Sequence, residues 1–235
     1  MSSVSSGVTV SEPANNLTDN TSGKWVAFDF DGTIADTKAF LVELYNSRLS
    51  KEYGGITIDP SEISLLRAMS LPKILSHLKI SPFRLPFFVR AARREIGLNI
   101  ARIPLIPGMA EQLDALAARG FSVAVISSNN AENIEAFLKM NGITVVSEIA
   151  CDIGASLWVK FKTIHRFMKK HRIAPANIVY VGDEIRDITA CRREGVRIVA
   201  VPWGFDPSGE LRDHHPDALV VEPGDLVGCI SEMLL

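Results

Sequence analysis

Cysteine is scarce in this chain of 235 residues, and Cys151, Cys191 and Cys229 lie far apart with no paired spacing. Neither a disulfide framework nor a zinc knuckle follows from them; reduced, partly buried thiols do. An excess of charge of either sign is also missing. A formal net charge of -2 and a pI near 6.2 give no electrostatic footprint for nucleic acid or an anionic membrane. Long hydrophobic runs are absent too: no stretch approaches the roughly 20 apolar residues that span a bilayer. The first 22 residues, rich in Ser, Asn and Thr, have neither the basic start nor the apolar stretch of a secretion signal. They are expected to form a disordered tail (1–22) outside the fold of a cytoplasmic protein. The glycosylation triplets at Asn16 and Asn20 then read as chance.

With 47% hydrophobic residues the chain can bury a substantial core. From Lys24 onward, strand-like and helix-like segments alternate. Residues 25–28, 121–127, 177–182, 196–202 and 218–221 are short apolar runs rich in Val and Ile, as in strands buried on both faces. Between them lie helical patterns over 109–119, 131–141 and 184–194, each stopped by a glycine: Gly120, Gly142 and Gly195. Such order implies an α/β fold with a doubly wound parallel sheet, whose ligands bind beyond the carboxyl ends of the strands.

One stretch interrupts the alternation. Residues 36–104 contain no convincing strand, while Asp59-Pro60, Leu71-Pro72 and Ser81-Pro82 each resemble a helix start. Pro86, one turn into the last of these helices, predicts a kink there. Phe40, Leu41, Leu44 and Tyr45 give the first helix an apolar face. The expected organisation is a core domain from 23–35 and 105–235, with a small helical domain inserted over 36–104.

Polar groups collect at the ends of three predicted strands. The first strand ends in Asp29-Phe30-Asp31-Gly32-Thr33, the second in Ser127-Ser128-Asn129, and the third in Asp183-Glu184-Ile185-Arg186-Asp187. Residues i and i+2 of an extended segment face the same way, so Asp29 and Asp31 can share one cavity, and Gly32 permits a tight turn after them. Two close carboxylates raise one another's pKa unless a cation neutralises them. With Asp183 and Asp187 adding negative charge, the cluster calls for a hard divalent ion such as Mg2+. Lys160 or Lys162 can supply the positive side chain. Taken singly, each feature has an ordinary explanation: a turn at Asp31-Gly32, a strand-end hydroxyl at Ser127, a surface lysine, acids at a helix N-terminus.

Together the ordered motifs resemble the haloacid dehalogenase superfamily of phosphatases, from Lys24 to the C-terminus. Asp29 to Thr33 matches the family's DxDGT signature, Ser127 takes the Ser/Thr position of the second motif, and Gly182 to Asp187 matches GDxxxD. Lys160, 23 residues before Asp183, is favoured over Lys162 as the third-motif lysine, although the usual Gly-Lys-Pro context is absent. The helical insert further resembles the phosphoglycolate phosphatase-like branch with its helical cap.

The resemblance implies Asp29 as nucleophile, Asp31 as proton donor and acceptor, and Ser127, Ser128 and Lys160 as phosphate-binding groups. It implies Mg2+ held by Asp29, the Asp31 carbonyl and Asp183, with Asp187 and Glu184 supporting. The expected substrate is a small phosphorylated metabolite, handled by a monomer or homodimer; Arg67, Arg84, Arg90, Arg93 and Arg94 of the insert are candidates for a substrate carboxylate or second phosphate. The alternatives are a phosphomutase on the same core and a non-catalytic binding protein using the fold.

Overall fold

A computed structural model of the chain describes residues 23–53, 55–59, 62, 71–81, 83–152 and 157–235. The tail expected over 1–22, the helix start at Asp59-Pro60 and Arg67 lie at least partly outside those residues.

Six strands form one parallel sheet: β1 (Trp25–Phe28), β2 (Ser122–Ser127), β3 (Val146–Cys151), β4 (Ile178–Gly182), β5 (Arg197–Ala200) and β6 (Ala218–Leu219), in the order β3-β2-β1-β4-β5-β6. The strand β3 has no counterpart in the sequence reading. It lies at the sheet edge, only partly buried, and its Ser147 and Glu148 break the apolar run by which buried strands are recognised. Ser147 serves the sheet instead, donating its hydroxyl to the Val123 carbonyl at 2.8 Å.

Alternate residues of the central strands feed two cores. Val26, Phe28, Val125 and Val181 face a layer containing Leu113, Phe137 and Ile230. Ala27, Ile126, Tyr180 and Ile198 face Ile164, Phe167 and Ile188. Each large side chain buried this way contributes about 1.5–3 kcal/mol, so both faces hold β1 firmly in the centre of the sheet.

The helices that follow strands begin beside the strand ends. Among the described residues the α-helices are α1 (Thr37–Leu44), α2 (Ser50–Tyr53), α3 (Leu71–His77), α4 (Leu85–Leu98), α5 (Met109–Ala118), α6 (Ala131–Met140), α7 (Leu157–His171), α8 (Ile185–Glu194), α9 (Ser208–Asp213) and α10 (Leu226–Leu234). The glycines after α5, α6 and α8 all take positive φ, 84° at Gly120, 69° at Gly142 and 68° at Gly195, which ends each helix without a side-chain clash.

Between Asp36 and Pro104 the described residues are helical or irregular and hold no strand. The chain leaves and returns at one place: Asp36 donates to the Pro104 carbonyl at 2.9 Å, and Ile106 to that of Ile34 at 2.9 Å. The kink expected at Pro86 is not there. The helix α4 begins at Leu85, so Pro86 sits in its first turn, where the missing N–H costs nothing. Phe40, Leu44 and Tyr45 are buried as their spacing predicts.

Candidate active site

The sheet register brings the strand-end groups together. Phe28 pairs with Val125 of β2 and Val181 of β4, so the residues that follow each strand emerge side by side. The turn after β1 is wound around one carbonyl: the Ile34 and Ala35 amides both donate to Phe30 at 3.0 Å, and Gly32 takes φ 81°. Phe30 is fully buried and packs edge-on against Phe137 at 5.1 Å. That anchor fixes the two aspartates on either side of it.

Asp29 is 1% exposed. One carboxylate oxygen accepts from the Phe30 amide at 2.8 Å; the other lies 2.7 Å from Lys160 Nζ. Lys160 also stands 3.0 Å from Asp187, and its ammonium is 5.3 Å from the Tyr180 ring centroid. Burial alone would lower the lysine's pKa, but Asp187 and Asp29 outweigh it and hold it above the ordinary value. Lys162 is exposed and does not share this position. The distinction has a helical cause: Lys160 lies on the same stripe of α7 as buried Ile164, Phe167 and Met168, at i, i+4, i+7 and i+8, whereas Lys162 does not. That stripe was a usable signal in the sequence.

Asp183 is fully buried and held from two sides. The Thr33 hydroxyl donates to one oxygen at 2.6 Å and the Phe205 amide to the other at 2.8 Å. A Cβ on Gly204 would stand 2.1 Å from its Oδ2 and one on Gly32 2.4 Å, so only glycine allows the backbone to close over this carboxylate. Asp187 is covered in the same way by Gly182, where a Cβ would come within 2.5 Å of Oδ2. It also accepts from the Glu184 amide at 3.1 Å, as half of a reciprocal cap on α8. Glu184 is buried too and ion-pairs with Arg186.

Asp31 sits nearer the surface, and both its oxygens face Asn129 Nδ2, at 3.0 and 3.2 Å. Burial first, then the charge of Asp29, pushes its carboxyl up to about 6, against a smaller lowering by Asn129. Burial likewise raises Asp183 well above the usual carboxylate range and takes Glu184 up to about 7. Ser127 is buried at the end of β2, with its hydroxyl accepting from the Asn129 amide at 3.1 Å; Ser128, next to it, is partly exposed.

Several functional neighbours escaped the sequence reading. Asn129 and Thr33 were visible inside their motifs, but nothing local assigns their partners, 98 and 150 residues away. Trp203-Gly204-Phe205 follows β5 and belongs to none of the motifs read from the sequence. It closes over Asp183 by its backbone, and Trp203 Nε1 donates to the Thr33 carbonyl at 3.2 Å. Lys38 fastens the same loop, donating to the carbonyls of Gly204 and Phe205 at 2.8 and 3.1 Å.

Asp29, Asp183 and Asp187 present carboxylate oxygens all within 4.8 Å of one another. With Asp31 and Glu184, five carboxyl groups converge here against the cations of Lys160 and Arg186. Among the described residues no basic side chain forms an ion pair with Asp183. All-oxygen donors, buried and short of positive charge, fit a hard divalent ion.

The family model for haloacid dehalogenase-like hydrolases matches residues 26–201. A phosphoglycolate phosphatase from Synechococcus elongatus is 31% identical over 209 residues, covering 89% of this chain and 98% of that protein. A phosphoglycolate phosphatase from Vibrio vulnificus is 26% identical over 83% of this chain and 90% of its own. Among solved structures, a predicted phosphatase from Clostridium acetobutylicum superposes with a TM-score of 0.75 at 19% identity, over 89% of this chain and 98% of that one, which shows the shared fold. A strand-end acid cluster in that fold, and a family match across most of its length, place the chain among the haloacid dehalogenase-like hydrolases, as a phosphoglycolate phosphatase-like member.

Proposed function

We propose that the protein is a Mg2+-dependent phosphatase of small phosphomonoesters, with phosphoglycolate the first substrate to assay. The observation that carries this reading is the placement of Asp29: a buried carboxylate at the end of the central strand, 2.7 Å from Lys160 and beside Asp183.

In this reading one Asp29 oxygen attacks phosphorus in line, the ester oxygen departs, and an aspartyl phosphate forms, splitting hydrolysis into two easier steps. Asp31 gives its proton to the leaving alcohol and takes one from the water that then attacks the aspartyl phosphate. A carboxyl held near 6 exists in both protonation states close to neutrality, as this alternation requires. Lys160 stays charged and neutralises the transferring oxygens, while Asp187 keeps the ammonium aimed at Asp29. The Ser127 hydroxyl binds a further phosphate oxygen, with Ser128 beside it.

Asp29, the Asp31 carbonyl and Asp183 would hold Mg2+, which when bound offsets the charge of substrate and carboxylates. Thr33 and the Phe205 amide then orient Asp183. Arg93 is the insert arginine whose charge is felt at Asp31, which favours it for an anionic group on the substrate. The domain division expected from sequence, a core with an inserted helical cap, suits a substrate enclosed between α4 and the strand ends.

The test is phosphate release across a panel of phosphorylated metabolites, with and without Mg2+, for the parent and Asp29→Asn. Metal-dependent turnover lost in the variant is expected; turnover that survives the substitution would overturn the assignment. An isomeric sugar phosphate in place of free phosphate would indicate a mutase.

A further inference from the structure

The acid Asp31 is not held by its own strand. Its partner Asn129 donates Nδ2 to both carboxylate oxygens, at 3.0 and 3.2 Å. The other end of that amide is gripped twice: Asn129 Oδ1 accepts from the Asn130 amide at 2.9 Å and from Asn133 Nδ2 at 3.0 Å. Two donors on one oxygen decide which way the Asn129 amide faces, and so present its NH2 to Asp31.

Asn133 reaches further. It lies in the first turn of α6, is 9% exposed, and its Nδ2 also donates to the Arg93 carbonyl in α4 at 3.3 Å. The helix α4 comes so close at this point that a Cβ on Gly97 would stand 2.3 Å from Asn133 Oδ1. A helix-interior glycine costs about 1 kcal/mol relative to alanine. Here it admits the Asn133 amide. A continuous path thus runs from the helical insert to the acid: Arg93 carbonyl, Asn133, Asn129, Asp31.

We propose that Asn133 is a positioning residue, which sets the Asn129 amide against Asp31 and makes the alignment of that acid depend on the seating of α4. The proposal rests on the reading of Asp31 as proton donor to the leaving group. When α4 is seated on Asn133, the amide is locked and the proton is aimed. When α4 lifts, the Asn133 side chain is no longer held at Arg93 and Gly97 and can turn away from Asn129 Oδ1, which then relies on the Asn130 amide.

Leaving-group dependence separates positioning of the acid from general damage. An alkyl phosphate such as phosphoglycolate needs a proton on its departing oxygen; p-nitrophenyl phosphate does not. The ratio kcat/KM reports the steps up to the first irreversible one, here cleavage of the ester bond. In Asn133→Ala, kcat/KM for phosphoglycolate should fall about tenfold, a fraction of the 10²–10⁴ that a positioned acid supplies, with that for p-nitrophenyl phosphate within about threefold of the parent.

Gly97→Ala provides the second variant. The three atoms nearest its added methyl all belong to the movable end of the Asn133 side chain, and alanine favours the helix, so folding is retained while the amide is displaced. The same split between substrates is expected from it. An equal fall on both substrates, or none on either, would overturn the proposal while leaving the phosphatase reading intact. A parent that releases phosphate from no phosphomonoester of the panel would overturn both.

Discussion

Acidification should stabilise the metal-free protein, against the usual trend. The Asp31 carboxyl is raised from 3.8 to about 6 in the folded chain, chiefly by burial and by Asp29. A carboxyl with a raised folded pKa binds its proton more tightly when folded, so its contribution to stability is fully present below the unfolded pKa. That contribution is lost as pH rises through the folded one. The shift is about two units, at about 1.4 kcal/mol each, so the full effect is about 3 kcal/mol as an upper bound, since Asp31 keeps some contact with water. Between about pH 7 and about pH 5 Asp31 alone recovers about 1.3 kcal/mol. Glu184, raised to about 7, acts in the same direction. For a chain of this size, 1 kcal/mol moves Tm by about 2–4 °C. The assay is calorimetry in the presence of a chelator, with Asp31→Asn as the comparison. The parent should gain about 3–5 °C relative to the variant over this interval, Glu184 being common to both. Saturating Mg2+ should stabilise the parent more at neutral pH than at about pH 5, because protons compete for the same oxygens. A parent and a variant with the same pH slope, or equal Mg2+ stabilisation at both pH values, would refute the picture of an unneutralised acid cluster.

Gly204→Ala should depress turnover at least about a hundredfold, because its methyl displaces Asp183. Gly209→Ala, with open space around it, should not. Thr33→Val removes the 2.6 Å donor to buried Asp183 and should cost the protein about 1–3 kcal/mol by thermal unfolding. Lys160→Met should abolish phosphate release and leave Asp29 and Asp187 without their shared cation; Lys162→Met, on the exposed face, should change stability by no more than about 0.5 kcal/mol and turnover hardly at all.

The parallel sheet was legible because β1, β2, β4 and β5 are buried on both faces and so read as unbroken apolar runs. The edge strand β3 was not, since half-burial admits Ser147 and Glu148. Asp29, Asp31 and Asp183 stood out as acids placed just past strand ends, and the roles expected of them came from the resemblance of their motifs to the family's. Their neighbours depend on long-range contacts: Asn129 reaches Asp31 across the sheet, and Phe205 serves Asp183 through a backbone amide, which no side-chain pattern records. Pro86 was misread because a proline in a first turn and one a turn later look alike until the helix start is known.

The most direct measurement is to quench the Mg2+-loaded enzyme in acid during turnover of a phosphomonoester and to map the phosphoryl group by peptide mass. The account predicts a phosphoryl group on Asp29, in the peptide containing Phe28-Asp29-Phe30, absent in Asp29→Asn and lost once the substrate is exhausted. Turnover with the phosphoryl group on another residue, or with none trapped although hydrolysis of the intermediate is rate-limiting, would contradict it.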